Sequence, residues 1–174
     1  ITLASGTAIT IDSDTAVDFD GTIDMSESES GSTGILIGDV PDRTQALTLD
    51  GTIYVNDDYA ADDTNDDDVT DAPWAEGTGR YGIHSVGTSP FKGDVAIASN
   101  LNVEGNQSYG IRFENLIDGD FTYDGAADIK GDDAIGIALD QGVTGDVYLS
   151  GSVGVLGKGG RAVVLNGDIG GALT

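Results

Sequence analysis

The chain has 174 residues, with 7 Lys and Arg against 31 Asp and Glu, a formal charge of −24, 27 glycines and no cysteine. This charge repels phosphate backbones and anionic lipid surfaces, which excludes nucleic acid as a partner. The absence of cysteine excludes disulfides, thiolate metal sites and thiol nucleophiles. No apolar run approaches the ~18 residues of a membrane-spanning helix, so we expect no membrane insertion.

The N-terminal half contains an irregular repeat. Ile9 recurs 26 residues later as Ile35, and the segment that starts at Ala16 recurs 30 residues later at Ala46. The extra residues fall in the sequence VPDRTQ, residues 40–45, which we predict to be a loop because it combines a proline with an adjacent Asp and Arg.

Residues 56–78 form an acidic insertion, which we predict is a side loop and not a core coil. Its aspartates are Asp57, Asp58, Asp62, Asp63, Asp66, Asp67, Asp68 and Asp71. Carboxylates at this density repel one another unless a cation screens them, and Ca²⁺ prefers oxygen ligands. The spacing fits neither an EF-hand loop nor calcium-binding nonapeptide repeats. Two predictions stay open: a solvated acidic loop, and a Ca²⁺ site formed by these eight residues, with Ca²⁺ as the one candidate cofactor.

The only histidine, His84, follows Ile83 and is expected to face outward. Arg112 occupies the same column one coil later, followed by Glu114. Together they could serve carbohydrate cleavage. However, the next coils place Ala138 in this column, so we expect no continuing polar groove. A surface ion pair explains Arg112 and Glu114 adequately, and we predict no catalytic residue.

From Phe91 onward, related segments begin every 26 residues, at Phe91, Ile117, Val143 and Ile169. Apolar residues keep the same spacing in six columns: Val95, Phe121, Val147 and Leu173; Ile97, Tyr123 and Leu149; Leu101, Ala127 and Val153; Val103, Ile129 and Val155; Ile111, Ile137 and Val163; Phe113, Leu139 and Leu165. A fixed period of this kind is typical of a solenoid in which each repeat is one coil.

Within each repeat the apolar residues alternate with polar ones, which is typical of β-strands and not of helices. Three short strands per repeat predict an all-β fold. We expect a right-handed parallel β-helix, or β-solenoid, of about six coils, with residues 1–174 as a single domain.

Small residues follow the same period in two columns, where we expect positive φ or a close approach of backbones. The columns are Gly93, Gly119, Gly145 and Gly171, and Gly34, Gly82, Gly110 and Gly136 with Ala8 and Ala162.

Asp94, Asp120 and Asp146 follow the first column of glycines. A cation could bridge these stacked carboxylates, but we favour hydrogen bonds from turn amides, each within its own corner. Ala172 interrupts this ladder in the next coil.

Three aromatic residues, Tyr54, Trp74 and Tyr148, are expected on outward positions or in the acidic insertion. Aromatic faces bind sugars or protein partners, while Trp74 could instead anchor its own loop. Carbohydrate is therefore a candidate partner.

The run from Gly136 to Thr174, GIALDQGVTGDVYLSGSVGVLGKGGRAVVLNGDIGGALT, resembles the passenger regions of bacterial autotransporters and related adhesin-like surface proteins. The resemblance covers residues 81–174 well and 9–55 loosely, and the acidic insertion has no counterpart. It implies a secreted β-helix at the bacterial outer-membrane surface or beyond, acting in adhesion or as a stalk. The catalytic motifs of the family's enzymatic passengers do not match here.

Both ends of the chain are expected to lie mid-coil, because Ile1 begins a closing strand and Leu173 belongs to an unfinished coil. We expect either a segment of a larger surface protein or a subunit whose ends stack head to tail into filaments. The expected function is an extracellular structural or adhesive module. The alternative is a β-helix that binds or degrades polysaccharide.

Overall fold

A computed structural model describes residues 1–68 and 70–174; Val69, within the acidic insertion, lies outside the described residues. The predicted fold class is confirmed. The chain winds into an all-β parallel solenoid of about six turns of about 26 residues. In the described part of the chain there is no helix of the length and hydrophobicity needed to cross a membrane.

The described residues form sixteen strands in three parallel sheets. In chain order they are β1 (Thr7–Ile11), β2 (Val17–Met25), β3 (Thr33–Ile37), β4 (Leu47–Val55), β5 (Tyr81–Ser85), β6 (Phe91–Lys92), β7 (Val95–Ile97), β8 (Asn100–Glu104), β9 (Tyr109–Phe113), β10 (Ile117–Asp118), β11 (Phe121–Tyr123), β12 (Ala126–Lys130), β13 (Ile135–Leu139), β14 (Val147–Leu149), β15 (Ser152–Leu156) and β16 (Arg161–Leu165). The first sheet has the order β1-β3-β5-β9-β13-β16, and the second has β14-β11-β7-β4-β8-β12-β15 with β2 beside β4. The third consists of β6 and β10.

The register between coils follows the predicted columns. Phe121 pairs with Val95 on one side and Val147 on the other, and the remaining apolar columns are likewise ladder partners. The 30-residue offset is also confirmed, since Val17 pairs with Leu47. The repeat in the sequence is therefore the physical stacking period of the coils.

The prediction of three strands per coil is wrong for the C-terminal half, where one coil contributes four, β10 to β13. The additional strand, Ile117–Asp118, has two residues, too few to show the alternation from which strands were predicted. β11 and β12 belong to one sheet, so each coil still has three sides.

The predicted loop at residues 40–45 contains no strand, but its arginine belongs to the interior. Arg43 is 1% exposed. Its guanidinium donates to the carbonyl oxygens of Ser13 at 3.1 Å and Thr15 at 3.4 Å, and lies 4.6 Å from the ring centre of Phe91. The four extra residues thus fold a charged side chain inward, where it caps the apolar core and bonds the preceding coil.

Close packing of backbones explains the glycine columns. A Cβ on Gly110 would lie 2.6 Å from the carbonyl oxygen of Gly136, and one on Gly119 would lie 2.5 Å from that of Gly93. In the corner column only Gly93 has φ in the left-handed region, at 119°. Crowding by the neighbouring coil is therefore the main constraint that requires glycine.

The aspartate ladder joins successive coils. Oδ1 of Asp94 accepts a hydrogen bond from the backbone N–H of Asp120 at 3.0 Å, Asp120 accepts from Asp146 at 2.8 Å, and Asp146 accepts from Ala172 at 2.6 Å. The prediction that these carboxylates bond turn amides is confirmed, but the prediction that each stays within its own corner is wrong. The coils approach so closely at the corner glycines that the next coil's amide lies within reach.

The crowding at the glycines predicts a sharp contrast between two substitutions. Gly110→Ala forces a Cβ against a backbone oxygen and should destabilise the protein by about 1–3 kcal/mol. Gly154→Ala, where a Cβ would meet only the carbonyl oxygen of Ala127 at 3.7 Å, should change stability by about 1 kcal/mol or less. Urea unfolding of both variants tests this. Equal stabilities would contradict crowding as the origin of the column.

Candidate functional site

The acidic insertion leaves the coil after β4 and rejoins it before β5. Twenty-five residues, 56–80, connect these strands, where seven, 26–32, connect β2 to β3 in the preceding coil. Asp57 closes the base of the insertion, because its Oδ2 accepts a hydrogen bond from the backbone N–H of Glu76 at 2.6 Å and its Oδ1 from that of Tyr59 at 3.1 Å. One predicted Ca²⁺ ligand is thus engaged in joining the two ends of the loop.

Arg80 fixes this base to the solenoid and is 3% exposed. Its Nη1 donates to the carbonyl oxygens of Glu76 at 2.8 Å and Glu104 at 2.9 Å, and its Nε donates to that of Ser28 at 3.1 Å. The same Nη1 lies 3.6 Å from Asp57 Oδ2. Burial lowers the pKa of Arg80, and the charge of Asp57 opposes that shift. The buried guanidinium of Arg80 therefore connects the insertion with the coils before and after it.

The other aspartates of the insertion are spread along the loop. Asp63 accepts backbone N–H groups from Asn65, Asp67 and Asp68, and Asp71 accepts the amide and hydroxyl of Thr64. Asp58, Asp62 and Asp66 are exposed. Among residues 1–68 and 70–174, no three His, Asp or Glu side chains come together in a group that could hold a metal ion. The Ca²⁺ site remains a prediction.

A second polar feature, the polar cluster of His84, Arg112, Glu114 and Asp140, lies on the outward face of the first sheet. β5, β9 and β13 position its members, since Arg112 pairs with His84 and with Ala138 in adjacent coils. Asp140 directly follows β13, 26 residues after Glu114. The polar side chains therefore continue into the next coil through Asp140, which shares a column with Glu114. The sequence analysis expected them to end there because Ala138 occupies the column of Arg112.

One ion-pair network joins the polar cluster. Glu114 Oε1 lies 3.0 Å from His84 Nε2 and 3.2 Å from Arg112 Nη1, while Arg112 Nε donates to Asp140 Oδ2 at 3.0 Å. Asp140 Oδ1 accepts from Asn166 Nδ2 at 3.2 Å. The predicted surface pair of Arg112 and Glu114 exists, and it belongs to a larger constellation that spans four coils.

Aromatic rings support this network. The His84 ring stacks on Tyr81 at 4.0 Å between centres, Tyr81 stacks on Tyr109 at 5.2 Å, and the guanidinium of Arg112 lies 4.8 Å from the Tyr109 ring centre. Burial lowers the pKa of His84, although the hydrogen bond to Glu114 works in the opposite direction. Burial therefore favours the neutral form of the imidazole.

The cleft beside the polar cluster is a groove of about 650 Å³. Arg112, Glu114, Asp140 and Gln141 line it on the polar side, and the other lining residues are Gly87, Thr88, Pro90 and Leu116. Sequence reasoning identified His84, Arg112 and Glu114 but missed Asp140 and the two tyrosines. Asp140 was discoverable, because it lies one 26-residue period after Glu114.

The exposed aromatics occupy different places. Tyr148 is 54% exposed and Tyr54 is 37% exposed, as expected. Trp74 is half-buried in a second groove, between the acidic insertion and the second sheet, together with Lys130 and Leu156. None of the three lines the cleft.

No protein-family model, curated protein or solved structure matches this chain. What the structure supports of the resemblance to autotransporter passengers is the β-solenoid fold.

Removal of the buried Arg80 guanidinium should loosen the acidic insertion. Arg80→Met leaves the carboxylate of Asp57 buried without its partner, which we expect to cost about 3–5 kcal/mol in the free energy of unfolding. Hydrogen exchange should accelerate first in residues 56–76. The matched control is Lys92→Met, which breaks the exposed ion pair with Asp42 at 3.5 Å and should cost about 1 kcal/mol or less. Similar losses in both variants would refute the anchoring role of Arg80.

The single histidine permits a direct titration. NMR should give His84 a pKa below the value of about 6.5 for an unfolded chain. Because the unfolded chain then binds the proton first, the stability contributed by the neutral ring is present above about pH 6.5 and is lost as pH falls through the folded pKa. Glu114→Gln should lower the pKa further, since Glu114 raises it, while Glu104→Gln on the second sheet should leave it unchanged. A pKa at or above the unfolded value would contradict the burial argument.

Proposed function

We propose that this chain is an extracellular or cell-surface β-solenoid module, structural or adhesive in role, that associates end to end. One observation carries the proposal: in the described part of the chain, five of the six exposed large hydrophobic side chains belong to the first coil or to the last two coils. These five are Ile1, Leu3, Tyr148, Leu156 and Leu173, and the sixth is Tyr54. The bacterial outer-membrane surface is the location that the resemblance to autotransporter passengers implies.

The backbone at the solenoid ends supports the same proposal. β1 lies at one edge of the first sheet and β16 at the other. In the second sheet β2 lies at one edge and β15 at the other, where residues 172–174 hydrogen-bond to the neighbouring β14. Edge strands present unpaired N–H and C=O groups that pair readily with another strand. Because the two ends differ, stacking one on the other is a heterologous contact and produces an open fibre. The added coil would come from a second copy or from another segment of a larger surface protein.

Charge opposes this association. Two copies that each carry −24 repel each other, and the repulsion weakens as salt shortens the Debye length to about 8 Å at 0.15 M. Ca²⁺ bound to the acidic insertion would weaken the repulsion further, because it reduces the net negative charge of each copy. We therefore expect assembly to require salt or divalent cations.

Polysaccharide cleavage, the second candidate function, fits the cleft less well than binding does. Glu114 and Asp140 both form ion pairs with the Arg112 guanidinium. Glycoside hydrolysis by a carboxylate pair requires one of them to donate a proton. The geometry therefore favours a binding role for this cleft.

Assembly can be tested on the purified chain by light scattering and negative-stain electron microscopy. We expect short rods at low salt and end-to-end stacks at high protein concentration in NaCl or CaCl₂. Leu156→Asp should prevent stacking, because it places a charge on the exposed edge. Tyr54→Asp, which alters a side chain of similar exposure in the middle of the solenoid, is the matched control and should stack like the wild type.

Single rods under all of these conditions would refute self-association, as would equal behaviour of the two variants. The same samples test the calcium prediction through their melting temperatures. Ca²⁺ should raise the melting temperature of the wild type and EDTA should reverse the change. An unchanged melting temperature would exclude a specific Ca²⁺ site.

A further inference from the structure

The cleft beside the polar cluster exists because one coil is longer than the period requires. β5 pairs with β9 at an offset of 28 residues, as Ile83 with Ile111, whereas β6 pairs with β10 at an offset of 26, as Phe91 with Ile117. Two extra residues therefore lie between Ser85 and Phe91. The loop that contains them provides Gly87, Thr88 and Pro90 to the lining of the cleft.

This loop is held from both neighbouring coils. Asp39 of the preceding coil accepts the backbone N–H groups of Thr88 at 3.3 Å and Ser89 at 3.1 Å. Asn115 of the following coil is buried; it donates to the carbonyl oxygen of Ser89 at 3.0 Å and accepts from the buried Ser85 hydroxyl at 2.9 Å. Hydrogen bonds to Ser89 and Thr88 lower the pKa of Asp39. A wall fixed in this way needs little ordering when a ligand binds.

The opposite wall offers both donors and acceptors. Glu114 Oε1 carries the contacts to His84 and Arg112, while Oε2 has no hydrogen-bond partner among the described residues. Gln141 also lines the cleft, and Thr88 lines it from the loop; the side-chain amide of the one and the hydroxyl of the other can each donate and accept. An ammonium group only donates and a carboxylate only accepts. A hydroxyl group does both, so a hydroxyl-rich ligand matches this wall best.

The charge and shape of the cleft further restrict the class of ligand. With His84 neutral, the polar cluster carries two negative charges and one positive charge, on a chain of −24, so an anionic ligand is repelled. Pro90 and Leu116 add an apolar strip suited to the C–H face of a sugar ring, and the cleft has the size of a small-ligand site.

We propose that the cleft binds an uncharged oligosaccharide through Glu114, Asp140 and Gln141. This inference rests on the adhesive role proposed above and supplies its ligand class. An uncharged oligosaccharide is favoured over a uronate-rich polysaccharide, because the negative charge of the site repels uronate carboxylates.

The test is an NMR titration of ¹⁵N-labelled protein under low-salt conditions where it is expected to be monomeric. The neutral probes are maltohexaose and cellohexaose, the anionic probe is hexagalacturonate, and the cationic probe is tetralysine. A neutral probe should shift the amide signals of Gly87, Thr88 and Gln141. Glu114→Gln and Asp140→Asn should weaken its binding about tenfold or more, since each removes a charged hydrogen-bonding group. Glu104→Gln, which alters a paired glutamate on another sheet, should bind like the wild type.

The inference is overturned if neither neutral probe shifts these amides, if hexagalacturonate or tetralysine binds the cleft more tightly, or if Glu114→Gln and Glu104→Gln bind equally well. Leu156→Asp separates the two proposals, because it alters the stacking edge and leaves the cleft intact. Binding that persists in this variant supports the ligand site whatever the assembly experiment shows, and stacking without binding overturns the ligand class alone.

Discussion

The parallel stacking of one coil on the next at a spacing of 26 residues is the constraint on which the rest of the structure depends. At Gly110 and Gly136 the backbones approach so closely that a Cβ would meet a carbonyl oxygen at 2.6 Å. Such close contact restricts how one coil can sit on the next. The register is fixed as well, because a shift of one residue would turn each inward side chain outward. The apolar columns, the glycine columns and the aspartate ladder all follow from this one spacing.

Departures from the spacing create the features that can recognise other molecules. Four extra residues around Arg43 fold a cation into the interior, the acidic insertion projects from the solenoid, and two extra residues after Ser85 form the wall of the cleft. The regular coils supply a rigid frame, and variation in the connections supplies the sites, as in other folds whose loops carry function. A solenoid is well suited to this arrangement because each coil contacts only its neighbours.

The sequence was sufficient to predict the fold because the period is visible in single residue types. Columns such as Val95, Phe121 and Val147 need no knowledge of tertiary contacts beyond the stacking itself. The candidate site was predicted in part, since His84 and Arg112 share a column but Asp140 contacts Arg112 from the next coil and a neighbouring column. The burial of Arg43 and Arg80 was not predictable from composition, because an arginine ordinarily lies on the surface. Hydrogen bonds that cross coils also depend on how closely two backbones approach, which residue spacing alone does not specify.

Each of the three departures from the 26-residue spacing has an arginine beside it: Arg43, Arg80 and Arg112. A physical reason connects them. Where the chain leaves the period, backbone carbonyls lose the amide that the next coil would have supplied, and a buried carbonyl without a donor is costly. Arg43 donates to the carbonyls of Ser13 and Thr15, and Arg80 donates to those of Ser28, Glu76 and Glu104. A guanidinium suits this task because it carries five donors in a fixed plane and stays charged when buried. Arg112 uses the same geometry on two carboxylates instead of carbonyls, so the side chain that repairs the stacking at two departures becomes, at the third, part of a cleft open to solvent.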